Sequence, residues 1–387
     1  MKAGWIETTV GKAFTTATGG TPPKNDKALY GDFLPLVKPP ELCDVELDTA
    51  EDGLSEEGAR IARIALPNSI LVSCIGNLGK IGLNSVPVAF NQQINAILPD
   101  LTKATPWFMF YQTLSYFFKS QLESLACGTT VPIVNKSKFN SIKIVLPPIP
   151  EQRRIVAILD EAFDGIATAK SNAEKNLQNA RALFESHLQS VFSERGEGWV
   201  EKPLEDLAKF SQGFQVSLGE QSTKMADGLV RFIRIVDYTQ QTTDVRFIKN
   251  PRDRYWVTES DIVMVRYGTP GLIGRNIAGV IANNLFKISV LEGVVSNDYL
   301  SNFLRQSTIQ HYLANQGSST MPALTFKQLG KVVIKYPPNA NEQGETVRRI
   351  EDMCAETQRL ESLYQSKLAT LEELKQSLLH QAFSGLL

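Results

Sequence analysis

Apolar and polar residues follow two rhythms along this chain, and each rhythm occurs twice. Short β-branched and aliphatic runs such as Ile70 to Cys74 and Val332 to Ile334, broken by Gly, Pro and Asn, fill residues 1–148 and 197–338 and predict two mixed globular domains. Within them a helix is predicted near Pro106 to Ser124 and another near Asn297 to Asn315. Each domain closes at a Pro-Pro pair, Pro147-Pro148 and Pro337-Pro338, because proline continues neither a helix nor a central strand. The second rhythm then begins. Ile155, Leu159, Ala162, Ile166, Ala169 and Ala173 recur at four-three spacing, and after a one-residue slip Leu177, Ala180, Phe184 and Val191 continue the stripe. Val347, Ile350, Cys354, Thr357, Tyr364, Leu368, Leu371, Leu378 and Ala382 do the same near the C-terminus, with Glu361 and Lys375 as weak positions. Helices of ~40 residues, ~60 Å long, each with one narrow apolar stripe, need a partner, and the simplest partner for each is the other. Antiparallel pairing would set Ile155, Leu159, Ile166, Leu177 and Phe184 against Ile350, Leu360, Tyr364, Leu368 and Leu371.

The two halves are copies of one unit. Ser69-Ile-Leu-Val-Ser-Cys-Ile-Gly-Asn-Leu-Gly-Lys-Ile-Gly82 aligns at an offset of 192 with Asp261-Ile-Val-Met-Val-Arg-Tyr-Gly-Thr-Pro-Gly-Leu-Ile-Gly274, each a strand running into Gly-x-x-Gly-x-x-Gly. Trp5 matches Trp199, Gly19 matches Gly213, Asn91 matches Asn283, and Gly128 to Pro132 resembles Gly317 to Pro322. Glu151-Gln152 falls on Glu342-Gln343, and Phe192-Ser193 on Phe383-Ser384. The expected fold is therefore α+β: two mixed α/β domains separated by two long antiparallel coiled-coil helices, with a pseudo-two-fold internal repeat. The divisions fall at 1–148, 149–196, 197–338 and 339–387.

Hydrophobic residues at 43% and charged residues at 21% exclude a disordered or fibrous chain. Cys43, Cys74, Cys127 and Cys354 form no CxxC pair or disulfide framework, and no apolar stretch has membrane-spanning length. A reducing, cytoplasmic setting fits. The net charge of -1 hides local imbalance, since eight acids from Glu41 to Glu57 leave five against 13 bases in the rest of residues 1–148. A domain with one basic face is expected from that count.

Catalytic signals are poor. Gly76-Asn-Leu-Gly79-Lys80 is too short for a phosphate loop, and Ile81 stands where a hydroxyl would hold magnesium. His187, His311 and His380 are scattered, Glu373-Leu374-Lys375 sits within a helix stripe, and no methyltransferase Asp/Asn-Pro-Pro-Tyr/Phe motif or metal cluster occurs. Binding signals are stronger. Arg231, Arg234, Arg246, Lys249, Arg252 and Arg254 fall within 24 residues, interleaved with Phe232, Tyr238, Phe247, Tyr255 and Trp256. Such groups suit phosphate contact and bidentate reading of guanine, although an ordinary solvated sheet edge would look alike. The glycine turns carry Asn77 and Lys80 in one copy and Arg266, Tyr267, Thr269 and Arg275 in the other. A shared framework with different polar residues is what two modules reading two different sequences require. The expected DNA-facing residues are Lys24, Lys38, Asn77 and Lys80 in the first domain and Arg231, Arg234, Arg266, Tyr267, Thr269 and Arg275 in the second.

Over its whole length the chain resembles the DNA-specificity (S) subunits of type I restriction-modification systems. Leu146-Pro-Pro-Ile-Pro-Glu-Gln-Arg-Arg-Ile-Val156 carries the resemblance, with Gly128-Thr-Thr before it; Tyr336-Pro-Pro-Asn-Ala-Asn-Glu-Gln-Gly-Glu-Thr346 departs by one extra residue and lacks the Arg-Arg pair. The resemblance implies two target-recognition domains reading a split, asymmetric double-stranded DNA site. It implies assembly with two methyltransferase (M) subunits and with restriction-translocase (R) subunits, which would hold S-adenosylmethionine, ATP and magnesium, so this chain would carry no cofactor or catalytic residue. The readings set against this are a coiled-coil scaffold that does not bind DNA, and a fused methyltransferase or nuclease, which the missing motifs disfavour.

Overall fold

The structure, a computed structural model, describes residues 4–128, 130–193, 198–240, 243–251, 253–315 and 323–387. Thr129, Arg252 and the segment from Gly317 to Pro322 therefore lie outside the described residues. Two compact units form, residues 1–174 with 365–387, and residues 175–364.

The first unit holds a five-stranded sheet in the order Thr16–Thr18, Ile94–Ile97, Ile70–Ser73, Ile81–Asn84, Val45–Leu47. A four-stranded sheet runs Gly53–Leu54, Tyr30–Val37, Val88–Phe90, Ile64–Ala65, and Ile6–Thr9 pairs antiparallel with Lys143–Leu146. The second unit repeats the plan. Its sheets run Ala208–Gln212, Leu285–Val290, Ile262–Val265, Ile273–Gly274 and Arg246–Lys249, Leu229–Ile233, Gly279–Ile281, Trp256–Val257, while Val200–Pro203 pairs with Val333–Tyr336. Even the one parallel pairing inside the smaller sheet recurs, Val37 against Phe90 and Ile233 against Ile281. The first unit adds only Val45–Leu47, drawn from the acidic stretch. Those acids are used locally: Glu41 accepts from the Lys38 amide, Asp44 pairs with Lys119, and Asp52 pairs with Lys38.

Gly19 and Gly213 show why the repeat keeps glycine. A Cβ on Gly19 would sit 2.2 Å from the Asn91 carbonyl oxygen, and one on Gly213 would sit 2.2 Å from that of Ala282. Only a residue without a side chain lets the backbones approach so closely. The two glutamines after the Pro-Pro pairs are equally matched. Gln152 is fully buried, accepts from the Thr105 amide at 2.8 Å and donates to the Lys103 and Pro147 carbonyls. Gln343 accepts from the Ser296 amide at 2.8 Å and donates to the Val294 and Pro337 carbonyls. Each satisfies buried backbone groups where a long helix leaves its domain.

The predicted single helices are each two. Pro106–Leu114 gives way to Tyr116–Ser124 at Ser115, whose extended backbone and hydroxyl, bonded to the Phe118 amide, start a new helix. Asn297–Leu304 likewise gives way to Ser307–Ala314, at Gln306. Hydrophobic periodicity runs through such a break because the side chains on both sides face the same core.

The long helices are Ile149–Ser193 and Ala340–Ser384, 45 residues each. In the first unit the start of one meets the end of the other: Ile155 and Leu159 share a core with Leu379, Ala382 and Phe383, and Arg154 donates to the Leu387 carbonyl at 2.9 Å. In the second unit Leu188, Val191 and Phe192 share a core with Val347 and Ile350, and Arg181 pairs with Glu361 at 2.6 Å. The pairing is thus antiparallel. Phe383 packs edge-on against Phe108, and Phe192 against Tyr299, so each long helix ends inside the opposite domain's core. The expectation that all ten stripe residues are buried needs correction. Ile155, Leu159 and Ile350 are, but Ile166, Leu177, Phe184, Leu360, Tyr364, Leu368 and Leu371 are half-buried, while the small Ala173 and Ala180 are covered. Two helices alone shield only the centre of their seam; full burial comes where a domain closes over them. The two weak positions are both used, Glu361 in its ion pair and Lys375 over the Phe163 ring.

Candidate nucleic-acid interface

The glycine turns fold alike. Gly76 and Gly79 have φ of 77° and 74°, and Gly268 and Gly271 have 83° and 92°, a region that side-chain-bearing residues avoid. The third glycine of each motif serves packing: a Cβ on Gly82 would strike Leu47, and one on Gly274 would strike the Tyr238 ring. In the first turn Ser73 Oγ donates to the Asn77 carbonyl and accepts from the Lys80 amide. That leaves the Asn77 side chain exposed and Lys80 half-exposed, with no ion pair among the described residues. Lys24 is also exposed, and Lys24, Lys38 and Tyr30 line a cleft of about 490 Å³ with Lys27 and Asp52.

The second domain's arginines are held differently. Arg234 donates to Asp237 and to the side chain and backbone of Asp244, which also accepts from Arg246 at 2.9 Å. Those two guanidinium groups, Arg246 first, hold the Asp244 carboxyl below the usual range against the pull of burial. Arg231 lies 3.9 Å from Asp237, and Arg275 pairs with Asp298. Arg254 stacks on Tyr255. Arg266 stands apart. Its guanidinium lies 4.6 Å from the Tyr267 ring centre and 5.6 Å from that of Phe286; its Nε is buried without an acceptor, and its two terminal nitrogens make no hydrogen bond among the described residues. A planar fork fixed on aromatic rings with its donors unspent is suited to bidentate contact with a base edge or phosphate. At the matching position the first repeat has Cys74, whose thiol burial pushes up to about 12, a neutral core residue. Thr269 is exposed beside Arg266's turn.

Sequence reasoning grouped these arginines by type and spacing. It missed Asp244 and Asp298 as their partners, because nothing in the linear order marks which acid folds back on which base. Stacking of Arg266 on the adjacent Tyr267 was the one signal visible in the sequence. No three His, Cys, Asp or Glu side chains converge as a metal site among the described residues, and no described helix is long and apolar enough to cross a membrane.

Two matched turns on one repeated framework carry different side chains in the two copies. The chain belongs to the family described as the type I restriction modification DNA specificity domain, which matches residues 3–178 and again 196–368. It is 22% identical over its full length to the StySPI specificity subunit of Salmonella potsdam, covering 89% of that protein, and 22% identical to the EcoKI specificity subunit of Escherichia coli K12, again covering 89%. Over 43% of the chain it is 32% identical to the HindI specificity subunit of Haemophilus influenzae, covering 37% of that protein. A chain from a solved type I restriction-modification assembly matches 99% of this fold, and 98% of its own, with a TM-score of 0.84 at 19% identity. The S subunit of Thermoanaerobacter tengcongensis matches the whole chain, and 98% of its own, with a TM-score of 0.62 at 20% identity. Like its relatives, the chain is a non-catalytic DNA-specificity subunit of the type I restriction-modification kind.

Proposed function

We propose that the chain reads a bipartite asymmetric site in double-stranded DNA, one domain per half-site, while its paired helices set the half-site spacing and dock the partner subunits. The observation that carries this is the duplicated glycine turn, which presents Asn77 and Lys80 in one copy and the stacked Arg266 with Thr269 in the other. Lys24 and Lys38 would accompany the first turn, with Arg231, Arg234, Tyr267 and Arg275 beside the second. Of these, Arg266 is the residue assigned to base reading; Arg234 and Arg275, already tied to acids, serve to hold the surface in shape. Two methyltransferase subunits and the restriction subunits would bring S-adenosylmethionine, ATP and magnesium, and the complex would act in the cytoplasm.

Half-sites in opposite orientation, centred about 10 bp apart, follow from two similar modules addressing one face of a duplex. Mapping of methylated positions tests the reading. Arg266→Ala in the assembled complex is expected to relax one base position in one half-site by about 1 to 3 kcal/mol and to leave the other half-site unchanged. A four-residue insertion beside Ala173, about one helical turn, is expected to lengthen the spacer only. Uniform weakening at every position, or altered bases after the insertion, would defeat the assignment.

A further inference from the structure

The two repeats differ in side-chain volume and polarity where a long helix leaves its domain. An offset of 191 superposes Thr105 on Ser296, Phe108 on Tyr299 and Gln152 on Gln343, each pair with matching contacts. The same offset sets Asp298, Ser301, Asn302 and Cys354 where the first repeat has Trp107, Phe110, Tyr111 and Phe163. In the first repeat those four rings interlock: Trp107 meets Phe110 and Tyr111 at centroid distances of 5.5 and 5.8 Å, and Tyr111 meets Phe163 at 5.3 Å. The Tyr111 hydroxyl donates to Asp160 at 2.5 Å. In the second repeat, small and polar side chains leave a cleft of about 580 Å³, within the ~300 to 1,000 Å³ span of small-molecule sites.

The cleft's chemistry is bipolar. Its apolar floor includes Phe184, Leu188 and Ile350. On the long-helix side Glu351, at the position of Asp160, has lost the tyrosine donor and meets no partner among the described residues. Arg305, at the position of Leu114, also lines the cleft, and its guanidinium meets no acceptor among the described residues. Arg305 is open to solvent at the rim, yet surrounding protein and then the charge of Arg275 pull its pKa below the ordinary value. Arg275 is already paired with Asp298, so Arg305 is the guanidinium of the cleft left to receive an anion, on the side away from Glu185 and Glu351.

We propose that this cleft binds an aromatic ring that bears a hydrogen-bond donor and a carboxylate: the ring in the space the first repeat fills with Trp107, Tyr111 and Phe163, the donor on Glu351, and the carboxylate on Arg305. Hydroxyphenylacetate has this chemistry as a free acid, and a tyrosine beside a glutamate has it within a polypeptide.

Cys354 lines the cleft and reports on it. Exchange with dithiobis(nitrobenzoate), whose rings each carry a carboxylate, joins the Cys354 sulfur to one ring and releases thionitrobenzoate. Methyl methanethiosulfonate reacts by the same displacement without a ring or charge. The exposed Cys43, among acids, and the exposed Cys127, against Lys138, are references of opposite local charge in the same molecules. Switching from the methyl to the aromatic probe is expected to favour Cys354 over both references by about tenfold, equivalent to ~1.4 kcal/mol. Site-resolved mass spectrometry on the full chain reads the ratio. Arg305→Gln should bring the preference down to the references, and Ser301→Phe with Asn302→Tyr, which rebuilds the plug, should abolish it. Equal probe ratios at all three cysteines, or no change in Arg305→Gln, would overturn the site. Protection of Cys354 by hydroxyphenylacetate at lower concentration than by acetyl-Tyr-Glu-amide assigns a free ligand, the reverse order assigns a polypeptide, and protection by neither overturns the proposal.

Discussion

The first repeat closes its helix junction with four interlocked aromatic rings, whereas the second leaves the same junction open and lines it with Arg305, Asn302 and Cys354. Around that difference the scaffold is held constant, through Gly19 and Gly213, Gln152 and Gln343, and the Phe108–Phe383 and Tyr299–Phe192 contacts. Positions that meet backbone admit one solution, because an extra carbon or a lost donor strands a buried group. Positions that meet only side chains can be rebuilt in volume and polarity. The glycine turns obey the same division: their glycines are fixed by backbone conformation, and Cys74 can stand where the other copy has Arg266.

The comparison breaks most severely at the shared glycines. Gly19→Ala and Gly213→Ala each force a Cβ against two carbonyl oxygens and are expected to cost about 4 kcal/mol or more, each in its own repeat. Hydrogen exchange resolved by peptide would locate the loss, and a loss spread evenly over both repeats would show that the units do not fold around separate cores. The long helices give the next contrast. Leu379→Ala, at a fully buried site, should cost about 2 to 5 kcal/mol, while the half-buried Leu368→Ala should cost about 1 kcal/mol. Equal costs in chemical denaturation would mean that the seam is shielded along its length.

The smallest effect sharpens the contrast by pH. Asp261 occupies the position of the first repeat's neutral Ser69. Burial works against its ionisation, but the Thr258 amide at 2.7 Å and Lys287 at 3.1 Å outweigh it, and the carboxyl titrates below its usual value. A depressed folded pKa contributes stability that is present above the unfolded value of about 3.9 and is lost as pH falls through the folded one. Asp261→Asn should therefore lower the denaturation midpoint near neutrality, and the gap should narrow as pH falls below about 4. A gap independent of pH would remove the carboxylate from the account.

The repeat and both long helices were legible in the sequence because backbone-imposed residues recur at fixed offsets and a heptad stripe runs far longer than chance. The breaks at Ser115 and Gln306 were not, since local capping competes with an apolar rhythm that continues unbroken across them. The glycine turns were located correctly, and their φ values show that the first two glycines of each motif are there for the turn itself. The arginine cluster looked uniformly available. Folding spends Arg234 on Asp244 and Arg275 on Asp298 and leaves Arg266 on its ring, a division that depends on long-range contacts no spacing encodes.

The exchange of helix ends between the units bears on the order in which the chain is made. The core that holds Phe108, Ile155 and Leu159 also holds Leu379, Ala382 and Phe383, so the domain that leaves the ribosome first lacks part of its interior until translation has passed the second domain. The second core closes with Leu188 and Phe192 against Val347 and Ile350, all supplied earlier. On a nascent chain the later domain is therefore completed before the earlier one. Until then Ile155 and Leu159 lack the cover that Leu379, Ala382 and Phe383 supply.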